Sequence, residues 1–110
     1  MLRSKFRRVE IYETLTGRRP LEEWLLQLKD HVAHGKILAR IRRVEAGNFG
    51  HYRDLGGGVY ELKEVSGPGY RVYFTVHRDE IVLLLISGKK SSQTSDIEKA
   101  RRYREDYIRR

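Results

Sequence analysis

The stretch VYELKEVSGPGYRVYFTVHRDEIVLLLI, residues 59–86, sets the architecture of the chain. Tyr60 and Leu62 alternate with Glu61 and Lys63; after the SGPG turn, Tyr70, Val72, Phe74 and Val76 alternate with Arg71, Tyr73 and Thr75. A period of two sends successive side chains to opposite faces, so the reading is a hairpin with one apolar and one polar face. The run IVLLLI at 81–86 does not alternate. It is expected to be a central strand, with neighbours on both sides and cover on most of both faces.

Working outward, Val9 and Ile11 alternate with Arg8, Glu10 and Tyr12, which predicts a strand over about residues 5–14, placed beside 81–86. Leu21, Trp24, Leu25 and Leu28 fall at i, i+3, i+4 and i+7 behind Pro20, one face of a short helix. A second helix spans about 33–46, with Ile37, Ile41 and Val44 inward, Arg40, Arg42 and Arg43 largely off that side, and Gly47 ending it. NFGHYRDLGGG reads as an exposed loop. A last helix is expected from about Asp96, with Ser95 as N-cap and Glu98 at capping-box spacing, burying Ile97, Ala100, Tyr103 or Arg104, Tyr107 and Ile108. The order β-α-α-β-β-β-α predicts an α+β fold, a single domain over 1–110 with helices packed on a mostly antiparallel four-stranded sheet.

The 110 residues carry 23 Lys and Arg against 15 Asp and Glu, a net charge of +8. That balance suits a phosphate-bearing or acidic partner. The excess is uneven: residues 59–87 hold 3 basic and 4 acidic groups, and residues 88–110 hold 8 and 4. No cysteine is present, which removes thiolate chemistry and Cys-based zinc sites from consideration. With no apolar run of membrane-spanning length and no apolar leader at the N-terminus, the expectation is a cytoplasmic protein with no membrane role.

Strand phase puts Glu61, Lys63, Arg71 and Tyr73 on the face away from the apolar one, with Lys89 and Lys90 leaving the next strand nearby. A shallow basic surface with an aromatic hydroxyl suits a single-stranded nucleic acid, although solvent-facing strand residues are commonly polar without any such role. His51 and Arg53, in the loop before the hairpin, are further RNA-binding candidates, His51 also as an acid or base. His31, His34, His51 and His77 lack metal-ligand spacing, so no metal and no cofactor is expected. GGG at 56–58 lacks the Lys-Ser/Thr of a phosphate loop, and Trp24 reads as packing.

The segments LGGGVYELKEVSGPGYRVYF at 55–74 and VLLLISGKKSSQTSDIEKARRY at 82–103 resemble the RelE/ParE superfamily of type II toxins, and most nearly the phage-derived, HigB-like addiction module killer proteins. The resemblance extends to the RPLEEWL helix and the GNFG loop. It implies a small α+β fold with helices on one side of a sheet, and metal-free, ribosome-dependent cleavage of messenger RNA. It also implies a cognate helix-turn-helix, HigA-like antitoxin, with operator DNA reached only through the toxin–antitoxin complex. Arg71 of GYRVYF matches the family's third-strand arginine, Lys63 a strand lysine, and Lys90 a basic residue after the fourth strand. Glu61 stands where RelE has a lysine, and the tyrosine that RelE carries after the GKK turn is missing.

Metal-free RNA cleavage requires removal of the 2′-OH proton, stabilisation of a developing phosphate dianion and protonation of the leaving 5′-oxygen. The resemblance therefore nominates Arg71 for the charge, Lys63 or Lys90 for phosphate or the 2′ proton, Glu61 as another base or an ion-pair partner, and Tyr73 to stack or donate, with Lys89, Arg53 and His51 on the RNA path. Replacing Arg71 by Ala is expected to abolish toxicity with the fold intact. Two other readings stand beside this one: a ParE-like protein that binds DNA gyrase, and a non-catalytic basic nucleic-acid-binding protein.

Overall fold

The IVLLLI run forms an interior strand with a neighbour on each side and is buried along its length, as its lack of alternation requires. The computed structural model describes residues 2–63 and 68–110. Among them the order is β1 (Arg8–Ile11), α1 (Pro20–Gln27), α2 (His31–Glu45), β2 (Tyr52–Asp54), β3 (Tyr60–Lys63), β4 (Arg71–His77), β5 (Ile81–Gly88) and α3 (Gln93–Ile108). Ser66 and Gly67 of the expected SGPG turn fall outside the described residues.

The sheet is mixed and has five strands in the order β1-β5-β4-β3-β2. β1 runs parallel to β5, as neighbours, and the other pairs are antiparallel. The expected four strands become five because Tyr52-Arg53-Asp54, read as loop, pairs with Leu62, Glu61 and Tyr60. Three residues between glycines are too few to show a period. Nor is the rest of that loop simply exposed. Phe49 is buried and stacks on Phe74 at 5.4 Å, and the buried Arg7 guanidinium lies 5.4 Å from the Phe49 ring centre.

The helices take both faces of the sheet, not one. Leu21 and Leu25 of α1 and Ala33, Ile37 and Val44 of α2 pack with Leu62, Val72, Phe74, Val82 and Leu84. The side chains of opposite phase, Tyr73, Leu83 and Leu85, pack with Ala100 of α3, and Ile97, Tyr103 and Tyr107 close that second core. Each large side chain so enclosed contributes about 1.5–3 kcal/mol. A bulge in β5 adjusts the phase: Tyr73 faces Ile86 while Phe74 faces Leu84, so Leu85 and Ile86 both join the α3 side.

Local chemistry fixes the helix starts. Pro20 opens α1, and the Asp30 side chain accepts from the Ala33 N–H at 3.0 Å to cap α2. α3 begins earlier than the Ser95 cap predicts: a 3-10 turn, Lys90–Ser92, runs directly into Gln93. Ser92 donates to the buried Asp96 carboxylate at 2.6 Å, which holds an acid in the first turn where the helix dipole favours it. Arg40 also departs from expectation. It is buried and donates to the His51 carbonyl at 2.7 Å, and Ile108 is exposed. Among the described residues no helix is long and apolar enough to cross a membrane.

Candidate functional site

Antiparallel pairing carries several of the nominated residues to one end of the sheet. β3 ends at Lys63, β4 begins at Arg71 opposite it, and β5 ends at Gly88 opposite Arg71. Lys89 and Lys90 follow directly, and His51 immediately precedes β2, which starts opposite Leu62. The Lys90 N–H donates to the Pro68 carbonyl at 3.4 Å, which ties this connection to the turn before β4. His51, Lys89 and Lys90 are exposed, and Lys63 is half-buried.

Beneath this rim lies a buried ionic cluster. Arg71 Nε is 2.6 Å from Glu61 Oε1, with the pair in charge contact more than in an aligned hydrogen bond. Gln93 Nε2, from the first residue of α3, donates to the same Glu61 oxygen at 2.7 Å. Arg71 also donates to the Gly69 carbonyl at 2.6 Å, while the exposed Arg53 places its Nε 3.7 Å from Glu61 Oε2. The side chain of Glu61 is 0% exposed and that of Arg71 9%.

These positions correct the open polar face expected from strand phase. Glu61, Arg71 and Tyr73 do point away from the α1–α2 side, but α3 packs on Tyr73 and reaches Glu61 through Gln93, and Arg71 is folded down onto Glu61 and the Gly69 carbonyl. Tyr73 is fully buried and presents no ring to a base, and its hydroxyl has no hydrogen-bond partner among the described residues. Burial first, then the Glu61 and Asp96 carboxylates, hold that hydroxyl well above the ordinary phenol range, so it remains protonated.

The arrangement divides labour. Glu61, held by Arg71 and Gln93, is an anchor for the arginine and the start of α3, while Lys63, Lys89 and Lys90 stand at the rim. Gln93 was not nominated from the sequence. The nearest signal was its place in the GKKSSQ turn, where a polar residue ahead of a helix reads as capping chemistry. Gly88 permits the approach of α3: a Cβ there would overlap the Asp96 carboxylate. Two shallow recesses flank the rim. One, ≈ 420 Å³, is lined by Trp24, Gln27, Leu28, Lys29, Tyr70 and Lys89, with Trp24 edge-on to Tyr70 at 5.6 Å. The other, ≈ 410 Å³, lies between α2 and the start of β2 and includes His51 and Lys63. Among the described residues no three acidic or histidine side chains converge as a metal ion would require.

The model of the family described as phage derived protein Gp49-like (DUF891) matches residues 23–105. An uncharacterized protein of Haemophilus influenzae is 41% identical over 93 residues, covering 84% of this chain and 90% of the relative. The matched span includes Lys63, Arg71 and Lys90 together with their anchors Glu61 and Gln93.

Proposed function

This chain belongs to the Gp49-like family, a phage-derived, toxin-like module of the RelE/HigB-like toxin clan, and from that membership we propose that it is the toxin of a type II toxin–antitoxin pair, a ribosome-dependent messenger RNA endoribonuclease. The observation that carries the reading is the gathering of His51, Lys63, Arg71, Lys89 and Lys90 at one end of the sheet over a buried anchor.

In this reading the RNA 2′-oxygen attacks the adjacent phosphorus and the bond to the 5′-oxygen breaks, leaving a 2′,3′-cyclic phosphate and a 5′-hydroxyl. Arg71, aimed by Glu61, faces the charge that builds on the non-bridging oxygens, with Lys63 and Lys90 supplying further donors. Glu61 is committed to Arg71 and Gln93, so the proton transfers fall to the rim, where His51 and Lys63 share a recess. A helix-turn-helix antitoxin is the proposed partner that silences the protein, and the ribosome is the surface on which it acts.

The test is induction in cells followed by mapping of RNA 5′ ends. Cuts within translated codons are expected, and the surface variant Lys63→Gln/Lys90→Gln should lose them while folding normally. Intact messages accompanied by a DNA-damage response would transfer the protein to the gyrase-binding reading.

A further inference from the structure

The recess between α2 and β2 gathers cations from two elements. Lys36, Arg40 and Arg43 reach it from α2 and Lys63 from β3, with Ala39, Asn48, Gly50 and His51 beside them, and among the described residues no carboxylate lines it. Lys36, Arg40 and Arg43 recur at helical spacing and so share one face of α2. The Arg40 guanidinium is fixed on the His51 carbonyl, and a Cβ at Gly50 would run into it, so the wall is built against the loop. Outer-surface arginines such as Arg8, Arg18, Arg19, Arg109 and Arg110 each pair with a carboxylate. Among the described residues Lys36, Arg43 and Lys63 pair with none. Cations gathered in one recess repel one another, and an anion bound among them relieves that repulsion.

We propose that this recess is a phosphate subsite that takes one phosphodiester of single-stranded RNA next to the one attacked at the rim. The inference rests on the RNA-cleaving reading and deepens it, because it assigns Lys36 and Arg43, which the chemistry above does not use. The lining favours a phosphodiester over an acidic protein segment. Among the described residues its one apolar side chain is Ala39, whereas a protein partner needs an apolar anchor pocket of the kind that Trp24, Leu28 and Tyr70 make on the other flank. Lys63 lies at the boundary of recess and rim, so a strand held in one continues into the other.

The experiment measures binding of a fluorescent, 2′-O-methylated oligoribonucleotide of about ten nucleotides, which cannot be cleaved, as a function of salt. The variant Lys36→Gln/Arg43→Gln is compared with Arg42→Gln/Arg102→Gln, which removes the same charge from exposed positions outside the recess. Loss of one phosphate contact lowers the steepness of log affinity against log salt by about 0.7. That loss is expected for the recess variant alone. Equal losses in both variants would mean a diffuse field and overturn the subsite, as would steep wild-type binding that the recess variant leaves unchanged. If the recess variant instead loses binding only to a poly-glutamate peptide, the occupant is a protein and the proposal fails. The RNA-cleaving reading fails separately, on intact messages after induction of the wild type.

Discussion

The Glu61–Arg71 pair makes a sharp demand on any mutational test. Removing one member of a buried pair strands the other charge, at a cost of about 3–5 kcal/mol. Arg71→Ala is therefore expected to lower stability by that amount in denaturant titrations, contrary to the expectation that it would leave the fold intact. Replacing both, as Glu61→Leu/Arg71→Met, should recover most of the loss and yet leave no RNA cleavage; failure of the double variant to recover would show that the pair is not coupled. The same residues show how far strand phase could be read. Alternation placed Glu61, Arg71 and Tyr73 on the face opposite Leu62 and Val72, and it does so in the structure. Period two says nothing about what covers a face, and polar identity suggested water. The IVLLLI run already called for cover on both faces of its own strand; what alternation could not tell is that the cover on the second side, α3, extends to the side chains of the neighbouring hairpin.

The β4–β5 connection and the docking of α3 are governed by backbone. Arg78 and Asp79 both have positive φ, 52° and 59°, and the Glu80 N–H donates to the His77 carbonyl at 3.1 Å, the tight turn that suits the twist of a hairpin. Arginine gains nothing there, so Arg78→Asn should raise the melting temperature modestly, by the equivalent of about 0.5 kcal/mol. Asp79 is retained for another reason: it accepts from Lys5 at 2.6 Å and Arg7 at 2.8 Å, tying the chain before β1 to this turn. Those two hydrogen bonds, Lys5 first, lower its pKa to about 2. A carboxyl depressed on folding stabilises above its unfolded pKa and ceases to do so as pH falls through its folded one. Asp79→Asn should therefore melt earlier than wild type at neutral pH, and the gap should close as pH drops from about 4 towards 2. Gly88→Ala should cost about 1–3 kcal/mol by pushing α3 off β5, and a neutral outcome would contradict the close approach described above. Of these elements, α1, β3 and β4 were legible from periodicity and β5 from its absence in a short apolar run. β2 and the start of α3 were not, because Tyr52–Asp54 is too short to repeat and the Ser95–Glu98 spacing mimics a capping box inside a helix that a 3-10 turn already opens at Gln93.

At the scale of the molecule, the +8 charge divides into paired and unpaired parts. Arg8, Arg18, Arg19, Arg109 and Arg110 meet carboxylates, whereas among the described residues Lys36, Lys63, Lys89 and Lys90, at the α2 recess and the sheet end, meet none. Closure of the sheet has its own consequence in time. β1 is completed only by pairing in parallel with β5, Arg8 against Ile81 and Ile11 against Leu84, across nearly the whole of the chain. Such distant pairing forms slowly and late. During synthesis β1 waits unpaired until β5 has left the ribosome, and Lys89, Lys90 and Gln93 emerge later still. A nascent or truncated chain that lacks β5 thus holds neither the finished sheet nor the assembled rim.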